Sequence, residues 1–148
     1  MKIVDKTISI NQPVELVFRY ISNPTNSMSW FPGIAGLASF NDLPHGMVGK
    51  IYTEQITLPS GRRKDMRIHV VEVEPNRRFV TEGQMLIFKT RMEVDCRELQ
   101  EGVTELHWVF SVHSPTQPDR RLSKYLLAQD ICGRSETGLQ RLKALLET

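Results

Sequence analysis

Six strand-like segments follow one another between residues 34 and 113 without an intervening helical pattern. They are rich in β-branched and aromatic residues and are separated by turn residues such as Pro59, Ser60 and Gly61. Short connections of this kind join antiparallel neighbours, so the series predicts one continuous antiparallel sheet. The predicted strands are residues 34–40, 49–58, 63–73, 78–84, 86–98 and 103–113.

The last hairpin of this sheet has a predictable register. A three-residue loop at residues 100–102, with Gly102 in the left-handed position, places Leu99 opposite Val103. One face then carries mostly apolar pairs, and the other pairs Arg97 with Glu105 and Asp95 with His107. The pairs on the apolar face are Cys96 with Leu106, Val94 with Trp108, Met92 with Phe110, and Thr90 with Val112. A sheet that is apolar on one face requires a covering layer.

The segment at residues 116–148 is the only one long and periodic enough to supply that layer as a helix. Thr116, Pro118 and Asp119 resemble a capping box at its start. Steps of three and four place on one face Tyr125, Ala128, Cys132, Ser135, Leu139, Leu142 and Leu146. The last third of the helix is rich in leucine, with Leu145 in addition, whereas its middle is thin and includes Gly133 and Gly138. The thin middle indicates either close approach of a neighbour or a space beneath the helix.

The chain before the sheet predicts a strand at residues 2–10 and two short helices. We expect Asn11 to cap the first helix, with Pro13 in its first turn, and the second helix to cover residues 25–30. Pro32 and Gly33 then turn the chain into the sheet.

Length and charge narrow the class of protein. A chain of 148 residues suits one domain, residues 1–148, and a net charge of +2 without a basic stripe argues against a nucleic-acid partner. Cys96 and Cys132 stand in separate elements with no CxxC motif, which predicts reduced thiols in a cytoplasmic protein. No apolar run is long enough to span a membrane, so we expect no stable membrane insertion. A homodimer is compatible with the sequence.

The order of strand, two short helices, six strands and long helix resembles the START-like superfamily, also called Bet v 1-like or SRPBCC, and in particular its polyketide cyclase/dehydrase-type members. Residues 8–10, 13–18, 30–33, 73–79 and 139–147 carry the resemblance. It implies an α+β helix-grip fold, in which a seven-stranded curved antiparallel sheet wraps around a long C-terminal helix, with two short helices between strands 1 and 2. It also implies a deep apolar cavity between helix and sheet, used by relatives for sterols, lipids, polyketides, quinones or plant hormones.

The side chains that we predict to line this cavity come from the inward sheet face, from a lid formed by the short helices and from the helix middle. They are Trp30, Phe40, Tyr52, Phe88, Met92, Trp108, Phe110, Tyr125, Ala128, Cys132 and Ser135. Packing in a solid core is the alternative explanation for most of them.

Candidates for catalysis are few. His45, His69, His107 and His113 all favour surface positions, and no metal-binding, nucleophile-elbow or phosphate-loop motif is present, so we predict neither metal nor cofactor. Two inward parities are defensible for the strand at 49–58, and the one that buries Tyr52, Glu54, Ile56 and Leu58 hides more apolar area. It would make Glu54, or Tyr52, a proton-transfer group in an apolar cavity.

Three functions therefore remain open. The first is binding of a small hydrophobic or amphipathic ligand, such as a lipid, quinone or polyketide-like molecule. The second is a polyketide cyclase or dehydratase acting in the same cavity. The third is a module that binds a protein partner through its sheet edge or lid, and a solidly filled interior would favour it.

Overall fold

The computed structural model describes residues 1–85, 87–113 and 121–148, with the backbone alone at 121–124. Seven antiparallel strands form one sheet in the order β1-β7-β6-β5-β4-β3-β2. Their bounds are β1 Lys2–Ile10, β2 Ile34–Ser39, β3 Ile51–Thr57, β4 Arg63–Glu74, β5 Arg78–Met85, β6 Phe88–Gln100 and β7 Val103–His113. A helix α1 at Val14–Ile21, a 3-10 helix at Pro24–Ser29 and a long helix α2 at Arg121–Leu146 complete the predicted helix-grip fold. The capping box predicted at Thr116 and Asp119 lies outside the described residues.

The register of the β6–β7 hairpin confirms the sequence prediction along most of its length. Cys96 pairs with Leu106, Val94 with Trp108, Met92 with Phe110 and Thr90 with Val112. The turn itself differs, because Gln100 rather than Leu99 pairs with Val103, and Leu99 is the extra residue of a bulge. Gly102 does adopt the left-handed conformation, with φ of 76°. The inward face of the two strands is therefore as predicted.

The start of α1 differs from the predicted cap at Asn11. Pro13 is the N-cap residue, and no side chain caps this helix end. The Asn11 backbone N–H instead donates to Glu147 Oε2, at 2.8 Å, at the far end of the chain. The second short helix is of the 3-10 type, and the Asn23 side chain accepts a hydrogen bond from the Thr25 N–H at its start.

The last third of α2 is anchored to the β1 edge of the sheet. Leu139, Leu142 and Leu146 are buried, whereas Leu145 is exposed. Polar contacts reinforce this packing, since Lys143 Nζ donates to the Ser9 carbonyl at 2.5 Å and Gln12 Nε2 donates to the Leu146 carbonyl at 2.7 Å. The predicted leucine-rich anchor is thus present, with Leu145 outside it. In the described part of the chain, no helix is both long enough and apolar enough to cross a membrane.

Candidate functional site

The thin middle of α2 has two different neighbours. At Gly138 a side chain would crowd the aromatic pair that follows the 3-10 helix, because a Cβ atom there would lie 3.2 Å from Phe31 Cδ2 and 3.3 Å from Trp30 Cε3. Gly133 has no heavy atom within 4 Å of such a Cβ position. Of the two alternatives, close approach therefore applies at Gly138, where the absent side chain lets an aromatic layer contact the helix.

A cavity lies about one to three turns before Gly138, between α2 and the concave face of the sheet. Leu127 and Ile131 form its α2 wall together with Asp130 and Arg134. The cavity has a volume of about 110 Å³, which is room for several water molecules or a small organic molecule. Most of the lining is apolar, and the sheet contributes Leu37, Ile56, Met66, Ile68, Phe79, Met85, Met92, Trp108 and Phe110. The interior is therefore not solidly filled.

The prediction of which helix face lines this cavity is wrong at the N-terminal end of α2. Tyr125 is 59% exposed, while Leu127 and Ile131 are buried in its place. On a straight helix of about 3.6 residues per turn, Ala128 lies in line with Leu146, whereas Leu127 lies about 100° around the axis. The face of α2 that meets the cavity is therefore different from the leucine-rich face that packs on β1. The other predicted positions do not line the cavity either: Ala128 and Cys132 are half-buried and Ser135 is fully buried.

Four of the predicted aromatic and sulfur-containing residues meet at the cavity: Trp30, Met92, Trp108 and Phe110 all line it. Trp30 and Trp108 pack edge to face with ring centroids 5.6 Å apart, and Phe31 stacks on Trp108 at 6.1 Å. These rings tie the segment after the 3-10 helix to β7, so the predicted lid is in contact with the sheet. The buried indole N–H of Trp108 has no hydrogen-bond partner among the described residues.

Three other predicted positions lie away from the cavity lining. Phe40 is 48% exposed and covers the Arg67 guanidinium, whose Cζ lies 3.8 Å from the ring centroid. Phe88 is buried in the core. Tyr52 is fully buried, with its hydroxyl hydrogen-bonded to His45 Nδ1 at 2.6 Å, and burial raises its pKa to about 12. A phenol held in this way and outside the cavity is poorly placed for proton transfer.

Glu54 occupies the inward position next to Tyr52 on β3 and does line the cavity. The structure confirms the parity favoured by burial of apolar area, because Tyr52, Glu54 and Ile56 are buried in alternation. Glu54 is 8% exposed, and burial raises its pKa from 4.5 to about 7. Among the described residues no hydrogen bond or ion pair involves its carboxyl group. The site therefore contains a carboxyl that changes protonation near neutral pH.

The sequence analysis missed Asp130 and Arg134, which sit in the cavity wall. Arg134 Nε is 3.0 Å from Asp130 Oδ2, and Arg134 Nη2 donates to the Thr57 carbonyl at 2.5 Å. The guanidinium lies against Gly33, where a Cβ atom would come within 1.8 Å of Nη1. The pair thus fastens α2 to the end of β3. Its sequence signal is an acid and a base four residues apart on a helix.

The histidines have no part in the cavity. His69, His107 and His113 are on the outer surface, where His107 Nε2 contacts Asp5 Oδ1 at 2.5 Å. Across the described ranges, no group of three histidine, cysteine or acidic side chains is arranged to hold a metal ion.

Comparison with solved structures assigns the fold class first. The chain matches the di-domain ARO/CYC BexL from the BE-7585A biosynthetic pathway with a TM-score of 0.72 at 12% identity, covering 95% of this chain and 45% of that one. It matches the di-domain ARO/CYC StfQ from the steffimycin biosynthetic pathway with a TM-score of 0.70 at 15% identity, covering 97% of this chain and 50% of that one. The match to a START superfamily protein from Mycobacterium smegmatis has a TM-score of 0.70 at 19% identity and covers 97% of this chain and 96% of that one. The fold is START-like, and the chain spans about half the length of the two di-domain proteins.

The family follows from the sequence as a whole. Residues 1–147 match the model of the family described as polyketide cyclase/dehydrase and lipid transport, and the chain belongs to that family. No curated protein sequence matches the chain.

Proposed function

We propose that the protein binds a small hydrophobic or amphipathic molecule of the lipid, quinone or polyketide-like class in the cavity beneath α2. The observation that supports this most directly is the cavity itself, with Leu127 and Ile131 facing a largely apolar concave sheet. Pockets that take small organic ligands are concave, mostly apolar and provided with a few polar groups. Glu54 and the Thr81 and Thr90 hydroxyls are such groups here.

The test is to fill the cavity from its helix wall. Ile131→Trp places an indole where ligand would lie, and we expect it to weaken binding of the apolar dye Nile red at least about tenfold, a loss of about 1.4 kcal/mol or more. Thr137→Trp, at an exposed position of the same helix, is the matched control and should bind like the wild type. Circular dichroism verifies that both variants are folded. Equal dye binding by the two folded variants would place the ligand elsewhere.

A second candidate is a cyclase or dehydratase that acts in the same cavity. Glu54 favours it, because a carboxyl with a pKa of about 7 is suited to move protons at neutral pH. The two di-domain ARO/CYC neighbours add a likeness of fold. Glu54→Gln should then abolish conversion of a poly-β-ketone thioester mimic, followed by mass spectrometry, while Nile red binding persists. Undiminished turnover in Glu54→Gln would exclude Glu54 as the proton-transfer group.

A further inference from the structure

Glu54 differs from the other charged side chains in the cavity wall because nothing in the described part of the chain neutralises it. The other two charged lining residues, Asp130 and Arg134 of α2, pair with each other. No ionisable side chain from α1, the 3-10 helix, β2, β4, β5, β6 or β7 lines the cavity. The residues opposite Glu54 on the neighbouring strands are Leu37 and Met66. A carboxyl in these surroundings is more stable as the neutral acid.

A neutral carboxyl has one O–H donor, and this donor is free to serve a ligand. No hydrogen bond within the described residues uses the Glu54 carboxyl, and its oxygens are not among the fully enclosed atoms, so they are reachable from the cavity. Thr81 and Thr90 likewise face the cavity without a hydrogen bond from their hydroxyls to the described protein. The polar part of the wall therefore consists largely of uncharged donors and acceptors.

The cation in the wall is already engaged. Arg134 forms an ion pair with Asp130 and donates to the Thr57 carbonyl, and its remaining guanidinium edge packs against Gly33. An anionic ligand would have to displace these contacts and would also meet Glu54, which is repelled by negative charge once it ionises. The wall thus disfavours acids and favours a neutral molecule with an oxygen that can accept a hydrogen bond.

We infer that Glu54 is the specificity-determining residue of this cavity: it selects an uncharged, largely apolar ligand with a carbonyl oxygen, which accepts a hydrogen bond from the protonated carboxyl. This inference rests on the proposed binding function. Ligand binding is then linked to pH, because ionisation of Glu54 removes the donor. The carbonyl is the group that distinguishes the ligand from a plain hydrocarbon of the same shape.

Three naphthalenes of nearly equal shape test this: 2-acetylnaphthalene, 2-ethylnaphthalene and 1-(2-naphthyl)ethylamine. Binding is measured by equilibrium dialysis at about pH 5 and about pH 8.5, on either side of the Glu54 transition. At the lower pH we expect the wild type to bind the ketone about tenfold more tightly than the hydrocarbon, as one buried hydrogen bond provides. At the higher pH the ratio should fall towards one.

Two variants separate hydrogen bonding from other effects. Glu54→Leu should lose the ketone preference at both pH values, whereas Glu54→Gln, whose amide donates without titrating, should keep it at both. Glu98→Gln, on an exposed part of β6, is the control and should behave like the wild type.

The outcomes are distinct. Hydrocarbon binding without a pH-dependent ketone preference, or an unchanged preference in Glu54→Leu, overturns the inference alone. Tighter binding of the ammonium compound than of the ketone at the lower pH also overturns it, because Glu54 would then be a carboxylate where the inference requires the neutral acid. Failure of the wild type to bind any of the three compounds contradicts the proposed binding function itself.

Discussion

Tyr52 and Glu54 are successive inward residues of the same strand, yet their polar groups have opposite surroundings. The Tyr52 hydroxyl is fully enclosed and bonded to His45, whose ring also stacks on it with centroids 5.7 Å apart. The Glu54 carboxyl faces a cavity and has no partner in the described protein. A buried polar group that is satisfied stabilises the fold, whereas one left unsatisfied beside a cavity lowers stability and is available to a ligand. The difference separates a structural position from a functional one.

The largest effect that we expect, and that would test this contrast, is a change in the free energy of unfolding at alkaline pH when Glu54 is replaced by glutamine. Because the folded pKa of Glu54 is raised above its unfolded value, the contribution of Glu54 to stability is most favourable below pH 4.5 and is lost as pH rises from 4.5 to about 7. Above that range the cost is about 3 kcal/mol. We expect Glu54→Gln to exceed the wild type in stability by up to this amount near pH 8 and to match it near pH 5.

Urea denaturation at the two pH values measures this, and Glu98→Gln serves again as the control. The comparison between variants is needed because other carboxyls with lowered pKa values, such as Asp5 and Glu147, lose their stabilising contribution at acid pH in every variant. An equal pH dependence of Glu54→Gln and wild type would mean that Glu54 is well solvated in the folded protein.

An intermediate effect is expected at His45. Replacement by alanine leaves the fully buried Tyr52 hydroxyl without its partner, which costs about 1–3 kcal/mol. Thermal unfolding at neutral pH measures the loss, and Nile red binding should stay unchanged because His45 does not line the cavity. A loss of dye binding would show that the two regions are coupled.

The smallest effect is expected for Tyr52→Phe. The substitution removes the hydroxyl itself and leaves only His45, which is exposed and can bond to water, so the cost is about 1 kcal/mol. The variant should therefore be more stable than His45→Ala in the same measurement. The reverse order would indicate that, in His45→Ala, a water molecule takes the place of the imidazole. The Tyr52 hydroxyl would then be accessible to solvent.

Local patterns in the sequence predict the fold and part of the cavity wall that the sheet forms. Alternation and the position of Gly102 predict the β6–β7 register except at the Leu99 bulge. Alternation together with the buried apolar area predicts the inward position of Glu54. The N-terminal face of α2 is mispredicted, because the helix turns one face to β1 at its end and another face to the cavity before it, whereas a single periodic pattern assumes one face throughout. Contacts such as Arg134 with Thr57 depend on how helix and sheet meet, which a linear pattern does not contain.

The pairing of the first strand with the last has a consequence for the order of folding. β1 forms its ladder with β7, about a hundred residues further along, and the end of α2 rests on β1. Closing so long a loop is slow compared with forming the hairpins between consecutive strands. During synthesis the first strand therefore stays unpaired until the seventh has been made. We expect the meander from β2 to β7 to form early, and β1 and the end of α2 to pack onto it together in the final step.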